Sequence, residues 1–144
     1  MEEQSVMTVG SENWLIERAK DIYNTLGKGY PECVYHRAYE YELRVNGVNY
    51  ESEKLVPVNY KGFQVGYGRA DIVLDDYDTI IEFKSNVNPP RLPEMEQINH
   101  YMRHLNISKG IIINFGQPSI NQRETIDYVI IRKEEHNQQT NNES

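Results

Sequence analysis

A chain of 144 residues with 38% hydrophobic content can enclose one core, so a single domain is expected. A net charge of −7 excludes a general nucleic-acid coat protein, which needs a broad basic face. One cysteine, Cys33, excludes an intrachain disulfide. Together with the lack of a leader-like or membrane-length apolar run, it predicts a soluble intracellular protein, cytoplasmic or nuclear, neither secreted nor bound to a membrane.

Residues 1–10 lack periodicity and are expected to be flexible. Ser11 suits the cap of a helix through Leu26, with Trp14, Leu15, Ala19, Ile22 and Leu26 on one face. Gly27 and Gly29 punctuate. Pro31 suits the first turn of a second helix that ends at Gly47, and Glu32, Tyr35, Tyr39 and Glu42 form a stripe along it. A strand over about 50–60 follows, and Pro57 marks it as an edge or a bulge. Lys61-Gly62 turns the chain into the strand that carries Asp71. Gly66-Tyr67-Gly68 precedes that strand as a bulge or turn, because no helix follows to make it a phosphate loop.

Arg69-Ala70-Asp71-Ile72-Val73-Leu74 reads as one strand and Thr79-Ile80-Ile81-Glu82-Phe83-Lys84 as the next, joined by Asp75-Asp76-Tyr77-Asp78 as a hairpin. Side chains alternate along a strand, so Glu82 and Lys84 share a face. Pairing the strands can bring Asp71 beside Glu82 on that face. Buried carboxylates are costly unless they hold a metal or each other. Their oxygens suit Mg²⁺ or Mn²⁺, and a neighbouring lysine suits a phosphate or an attacking water. The plain alternative is an Asp71–Lys84 pair across the hairpin, or Lys84 as an edge-strand guard.

A proline-rich loop, 86–93, leads to a helix over about 94–105 with Met95, Ile98, Tyr101, Met102 and Leu105 on its apolar face. His100 and His104 stand four apart there, but no third ligand follows, so a solvated face is expected. Residues 109–115 read as a buried strand and 125–132 as the last one. The segment 134–144 is polar and reads as a disordered tail after a single domain over 11–133. Cys33 lacks a partner histidine or a second cysteine and is expected to be a small buried residue. The order is αα-βββ-α-ββ, an α/β fold with a mixed sheet flanked by helices, because a helix between two strands makes a crossover.

Asp71 followed by Glu82-x-Lys84 on the next strand resembles the PD-(D/E)XK nuclease superfamily, with Ala70 where that pattern has its proline. Gly29-Tyr30-Pro31-Glu32-Cys33-Val34-Tyr35 resembles the signature of the GxxExxY branch, and Ala38, Glu42, Leu43 and Gly47 continue it. Gln97-Ile98-Asn99-His100-Tyr101-Met102 is similar to the branch's Gln-containing helix, and Gly110–Gly116 to its next strand and turn. Glu94 stands where the branch often has a histidine. The resemblance implies a restriction-endonuclease-like core and metal-dependent hydrolysis of DNA or RNA. It implies Mg²⁺ or Mn²⁺ held by Asp71, Glu82 and the Phe83 carbonyl, with Glu32 reaching the metal from its helix and Gln97 binding a water or a phosphate. Lys84 would serve the chemical step, and Arg69 and Arg123 would position phosphate. Tyr35 is placed with the substrate-side residues, as a packed ring whose hydroxyl orients Glu32. The acidic balance leaves two other readings. One is a nuclease fold kept as an interaction module; the other is a subunit of an assembly, homodimeric or with a partner that supplies the basic surface.

Overall fold

The computed structural model describes residues 7–119 and 124–133. Arg123, the expected tail and most of the expected flexible N-terminus lie outside them. The elements run α1 (Glu12–Leu26), α2 (Glu32–Val45), β1 (Glu51–Tyr60), β2 (Phe63–Leu74), a single 3₁₀ turn (Asp75–Tyr77), β3 (Thr79–Lys84), α3 (Leu92–Leu105), β4 (Lys109–Asn114) and β5 (Asp127–Arg132). This is the αα-βββ-α-ββ order expected from the sequence. Among the described residues no helix is long and apolar enough to cross a membrane.

The five strands form one sheet in the order β1-β2-β3-β4-β5, so every strand lies beside its neighbours in sequence. All pairs are antiparallel except β3–β4, whose parallel register pairs Ile81 with Ile111 and Lys84 with Asn114. A parallel pair needs a crossover, and α3 supplies it. The helices α1 and α2 cover one face, over Ile72, Leu74, Ile81, Phe83, Ile111 and Ile113. Helix α3 covers the other, over Val56, Ala70, Val73, Ile80 and Ile112. With helices on both faces the central strands carry continuous apolar runs, and all three isoleucines Ile111, Ile112 and Ile113 are sealed.

Local chemistry fixes the helix ends. Ser11 Oγ accepts the Trp14 N–H at 3.2 Å, and Gly27 ends α1 at φ 74°. Pro31 sits one position earlier than expected, as the cap residue of α2. The Tyr39 hydroxyl donates to the Leu15 carbonyl at 2.7 Å and ties α2 to α1 inside the core. Lys61 and Gly62, at φ 47° and 84°, make the left-handed two-residue turn that matches strand twist.

Two expectations need correction. Gly66-Tyr67-Gly68 does not precede β2 but lies within it, paired with Val58, Pro57 and Val56. The bulge expected there falls beside it: the register slips between Val58 and Asn59, which leaves Val65 as the extra residue. Gly68 is needed because a Cβ there would overlap the Tyr101 hydroxyl. Cys33 is exposed, not buried, because it lies on the outer side of the first turn of α2.

Candidate active site

Strands β2 and β3 pair through Ile72↔Ile81, Val73↔Ile80 and Leu74↔Thr79, and the ladder then stops. The next positions along would be Asp71 and Glu82. There the side chains replace the missing ladder. The Asp71 N–H donates to Glu82 Oε1 at 2.9 Å, and the Phe83 N–H donates to Asp71 Oδ2 at 2.8 Å. Strand β1 breaks opposite the same point. Glu53, at φ 52°, drops out between the pairs Ser52↔Ile72 and Lys54↔Ala70. A left-handed backbone at a non-glycine residue costs on the order of 1 kcal/mol. Asp71 therefore sits where the sheet opens on both sides.

The two acids are in an unfavourable place for charge. Glu82 is 5% exposed and Asp71 is half-buried. Burial first, and then the charge of Asp71, raises Glu82 well above the usual carboxylate range. Burial also raises Asp71, opposed by the Phe83 N–H, by His36 and by Lys84. Glu82, the deeper of the two, is the more strongly raised. The donor chemistry fits a hard divalent cation, since two clustered carboxylates with excess negative charge are what such an ion neutralises. Among the described residues no group of three or more His, Cys, Asp or Glu converges into a ligand cage.

The remaining candidates divide. Lys84 lies two residues beyond Glu82 on β3, half-buried, and its charge eases the ionisation of both acids. The strand end that carries it is tightly held. Ser85 Oγ donates to the Tyr30 carbonyl at 2.6 Å, and Gln117 Nε2 donates to Ser85 Oγ at 2.8 Å. The buried Asn114 accepts the Asn86 and Gly116 N–H groups and donates to the Asn86 and Asn88 carbonyls.

Glu32 and Gln97 are both exposed and do not join the pair in this arrangement. Tyr35 corrects the substrate-side expectation: it is fully buried and stacked on Phe115, with ring centroids 4.1 Å apart. Its hydroxyl donates to the Gly27 carbonyl and accepts the Tyr30 N–H, so it orders the α1–α2 loop and does not orient Glu32. Arg69 is exposed, its guanidinium 5.9 Å from the centroid of Tyr67. His104 is exposed and His100 half-buried, on a helix face without a third ligand.

Two neighbours of the pair escaped sequence reading. His36, on α2, packs its ring 5.3 Å from Phe83 and places Nε2 2.9 Å from Ser52 Oγ. Tyr101, on α3, has its phenol raised by burial, then by Glu82 and Asp71. Tyr101 was visible as an apolar position of its helix and as part of the Gln-containing segment, without a role at the acids. His36 was visible only as the residue after Tyr35.

Residues 10–127 match the sequence profile of the PD-(D/E)XK nuclease superfamily. The chain belongs to that superfamily. The match covers most of the described fold, and the mixed five-stranded sheet with flanking helices is its restriction-endonuclease-like core. Two solved structures are similar to this member. The crystal structure of SSO0001 aligns at a TM-score of 0.49 with 23% identity, over 71% of this chain and 50% of that one. A phage-related exonuclease from Haemophilus somnus 129PT aligns at 0.43 with 12% identity, over 88% of this chain and 74% of that one. The chain spans half the length of the first. No curated protein matches it.

Proposed function

We propose that this PD-(D/E)XK protein is a metal-dependent nuclease that hydrolyses phosphodiester bonds of DNA or RNA, within the GxxExxY branch suggested by Gly29, Glu32 and Tyr35. The observation that carries the reading is the Asp71–Glu82 pair. Two carboxylates are held by each other's strands where the pairing lapses on both sides of Asp71, and Lys84 lies on the same strand as Glu82. A purely structural pair would be better served by apolar residues, since buried charge is a net cost unless something is gained from it.

Asp71, Glu82 and the Phe83 carbonyl are the groups that would hold Mg²⁺ or Mn²⁺, which when bound polarises a scissile phosphate and lowers the pKa of water. The hydrogen bonds from the Asp71 and Phe83 amides fix one oxygen of each carboxylate. Lys84 orients the attacking water or stabilises charge that develops on the phosphate oxygens. Arg69, two residues before Asp71, positions the substrate backbone, and Arg123 is a second candidate for that role. Glu32 and Gln97 stand as outer residues that act through water or on substrate.

The test is cleavage of labelled duplex, single-stranded and branched DNA and RNA by the purified full chain with Mg²⁺ or Mn²⁺. Metal-dependent cleavage that Asp71→Asn abolishes supports the proposal. A folded protein that binds metal and cleaves none of these substrates overturns it.

A further inference from the structure

The β1–β2 ribbon is the largest feature that the proposed reaction leaves unused. Strand β3 pairs only with Ile72, Val73 and Leu74 of β2. The earlier part of β2, back to Phe63, pairs with β1 alone and projects from the sheet. Leu55 and Pro57 on β1 lie opposite Arg69 and Tyr67 on β2, on the face turned away from α3. The other face, with Val56 and Gly68, packs against α3. Tyr60 and Phe63 face each other across the turn at the tip. The rings are unusually open: Tyr60 is 60% exposed, Phe63 75% and Tyr67 57%. Alternation along β1 puts Tyr60, and with it Phe63, on the side of Val56, and Tyr67 on the opposite side with Leu55 and Pro57, so the projecting ribbon carries open rings on both of its sides.

Charge says what the ribbon binds. Residues 54–70 contain Lys54, Lys61 and Arg69 and no acid, a local charge of +3 in a chain of −7. Lys54 is held by Glu51 at 2.8 Å. Lys61 and Arg69 form no ion pair among the described residues; instead they lie 5.3 Å and 5.9 Å from the ring centroids of Tyr60 and Tyr67. Aromatic faces beside unneutralised cations fit a polyanion that carries its own flat rings. A second copy of the chain would set the same cations against one another.

We infer that the β1–β2 ribbon grips unpaired nucleic acid, with Tyr60, Phe63 and Tyr67 stacking on bases and Lys61 and Arg69 meeting phosphates. Ring faces can stack only on bases that have left the duplex, and two free cations are too few to hold a duplex by its backbone. The ribbon also leads to the acids. Arg69 precedes Asp71 by two residues, about 7 Å along the strand, and Phe63 precedes it by about 25 Å. The inference rests on the nuclease reading and adds the strandedness of the substrate to it.

The experiment is fluorescence anisotropy with labelled oligo-dT and a mixed-sequence duplex of the same length, in EDTA, on the full chain. The wild type is expected to bind oligo-dT at least about tenfold tighter than duplex. Phe63→Ala with Tyr67→Ala should weaken oligo-dT binding by about tenfold or more. Lys61→Ala should lower the salt dependence by about one released counterion. The thermal melt of each variant shows that it is folded, and Phe63→Leu with Tyr67→Leu serves where the alanines unfold. Equal affinity for duplex, unchanged affinity in a folded variant, or no binding of either oligonucleotide by the wild type overturns the inference. So does a ribbon variant that binds normally but changes a dimer to a monomer by sedimentation, which would make the face a contact between copies. Binding through the ribbon without cleavage would sink the nuclease reading and keep this one; cleavage with an indifferent ribbon would do the reverse.

Discussion

The Asp71 amide donates to the Glu82 carboxylate, and the Asp71 carboxylate accepts the amide one residue further along the same neighbouring strand, Phe83. The two acids thus stitch an opened seam between β2 and β3 with side chains in place of backbone. The seam is also where a cation would relieve their repulsion, so a bound metal would raise stability, and the raised acids tie stability to pH.

Millimolar Mg²⁺ or Mn²⁺ should raise the melting temperature. At about 100 times Kd the gain is about 2.7 kcal/mol, roughly 10 °C for a chain of this size. Asp71→Asn should remove most of it. Differential scanning fluorimetry with a metal titration checks this, and a flat response in the wild type would show that the pair does not hold an ion.

Without metal, the pair should make stability fall as pH rises. Both acids are raised above their usual values in the folded state. The folded chain therefore binds more protons than the unfolded one between the usual carboxylate range and the raised folded values, and stability declines across that window. Below the usual range the contribution is fully present. Urea unfolding from pH 4 upward should show a shallower decline in Glu82→Gln than in the wild type. Parallel curves would mean that Glu82 is not raised.

Lys84→Ala should leave the fold and the metal-induced shift largely intact while cleavage falls by about 10² or more, the scale of one lost transition-state contact. Affinity for substrate should suffer less than in Arg69→Ala, which acts through phosphate. Single-turnover rates and anisotropy on the same variants separate the two, and a wild-type cleavage rate in Lys84→Ala would remove the lysine from the chemistry.

Tyr39→Phe should destabilise the protein by about 1 kcal/mol, because it deletes a buried hydroxyl bond to the Leu15 carbonyl without changing the packing. Chemical denaturation measures it. Cleavage should be unaffected, since the bond joins α1 to α2 in the core.

The sheet was legible because its signals are local. The apolar runs at 72–74, 80–81 and 111–113 gave three strands, and the helical repeat between them gave the crossover. The Asp71–Glu82 meeting followed from alternation and a short hairpin. The failures are those that alternation cannot foresee. Tyr35 has the spacing of a site residue, yet its ring stacks on Phe115, eighty residues away, and its hydroxyl is used by its own loop. His36 approaches Asp71 only because α2 lies across Phe83, a packing fact absent from any single segment. The extension of β2 back to Phe63 was hidden by two glycines. They break a strand pattern, but Gly68 makes room for Tyr101 of α3, whereas Gly66 faces open space.

The strand order has a consequence for assembly. Since every strand lies beside its neighbours in sequence, the sheet can zip from one end to the other, and its one parallel step waits only for α3 to form. Asp71 and Glu82, eleven residues apart, meet when a short hairpin closes. Closing so short a loop is a microsecond event, long before distant segments dock. The repulsion between the acids is therefore met early in folding, and a cation present at that moment would bear on the rate at which the chain folds as well as on how stable it ends up.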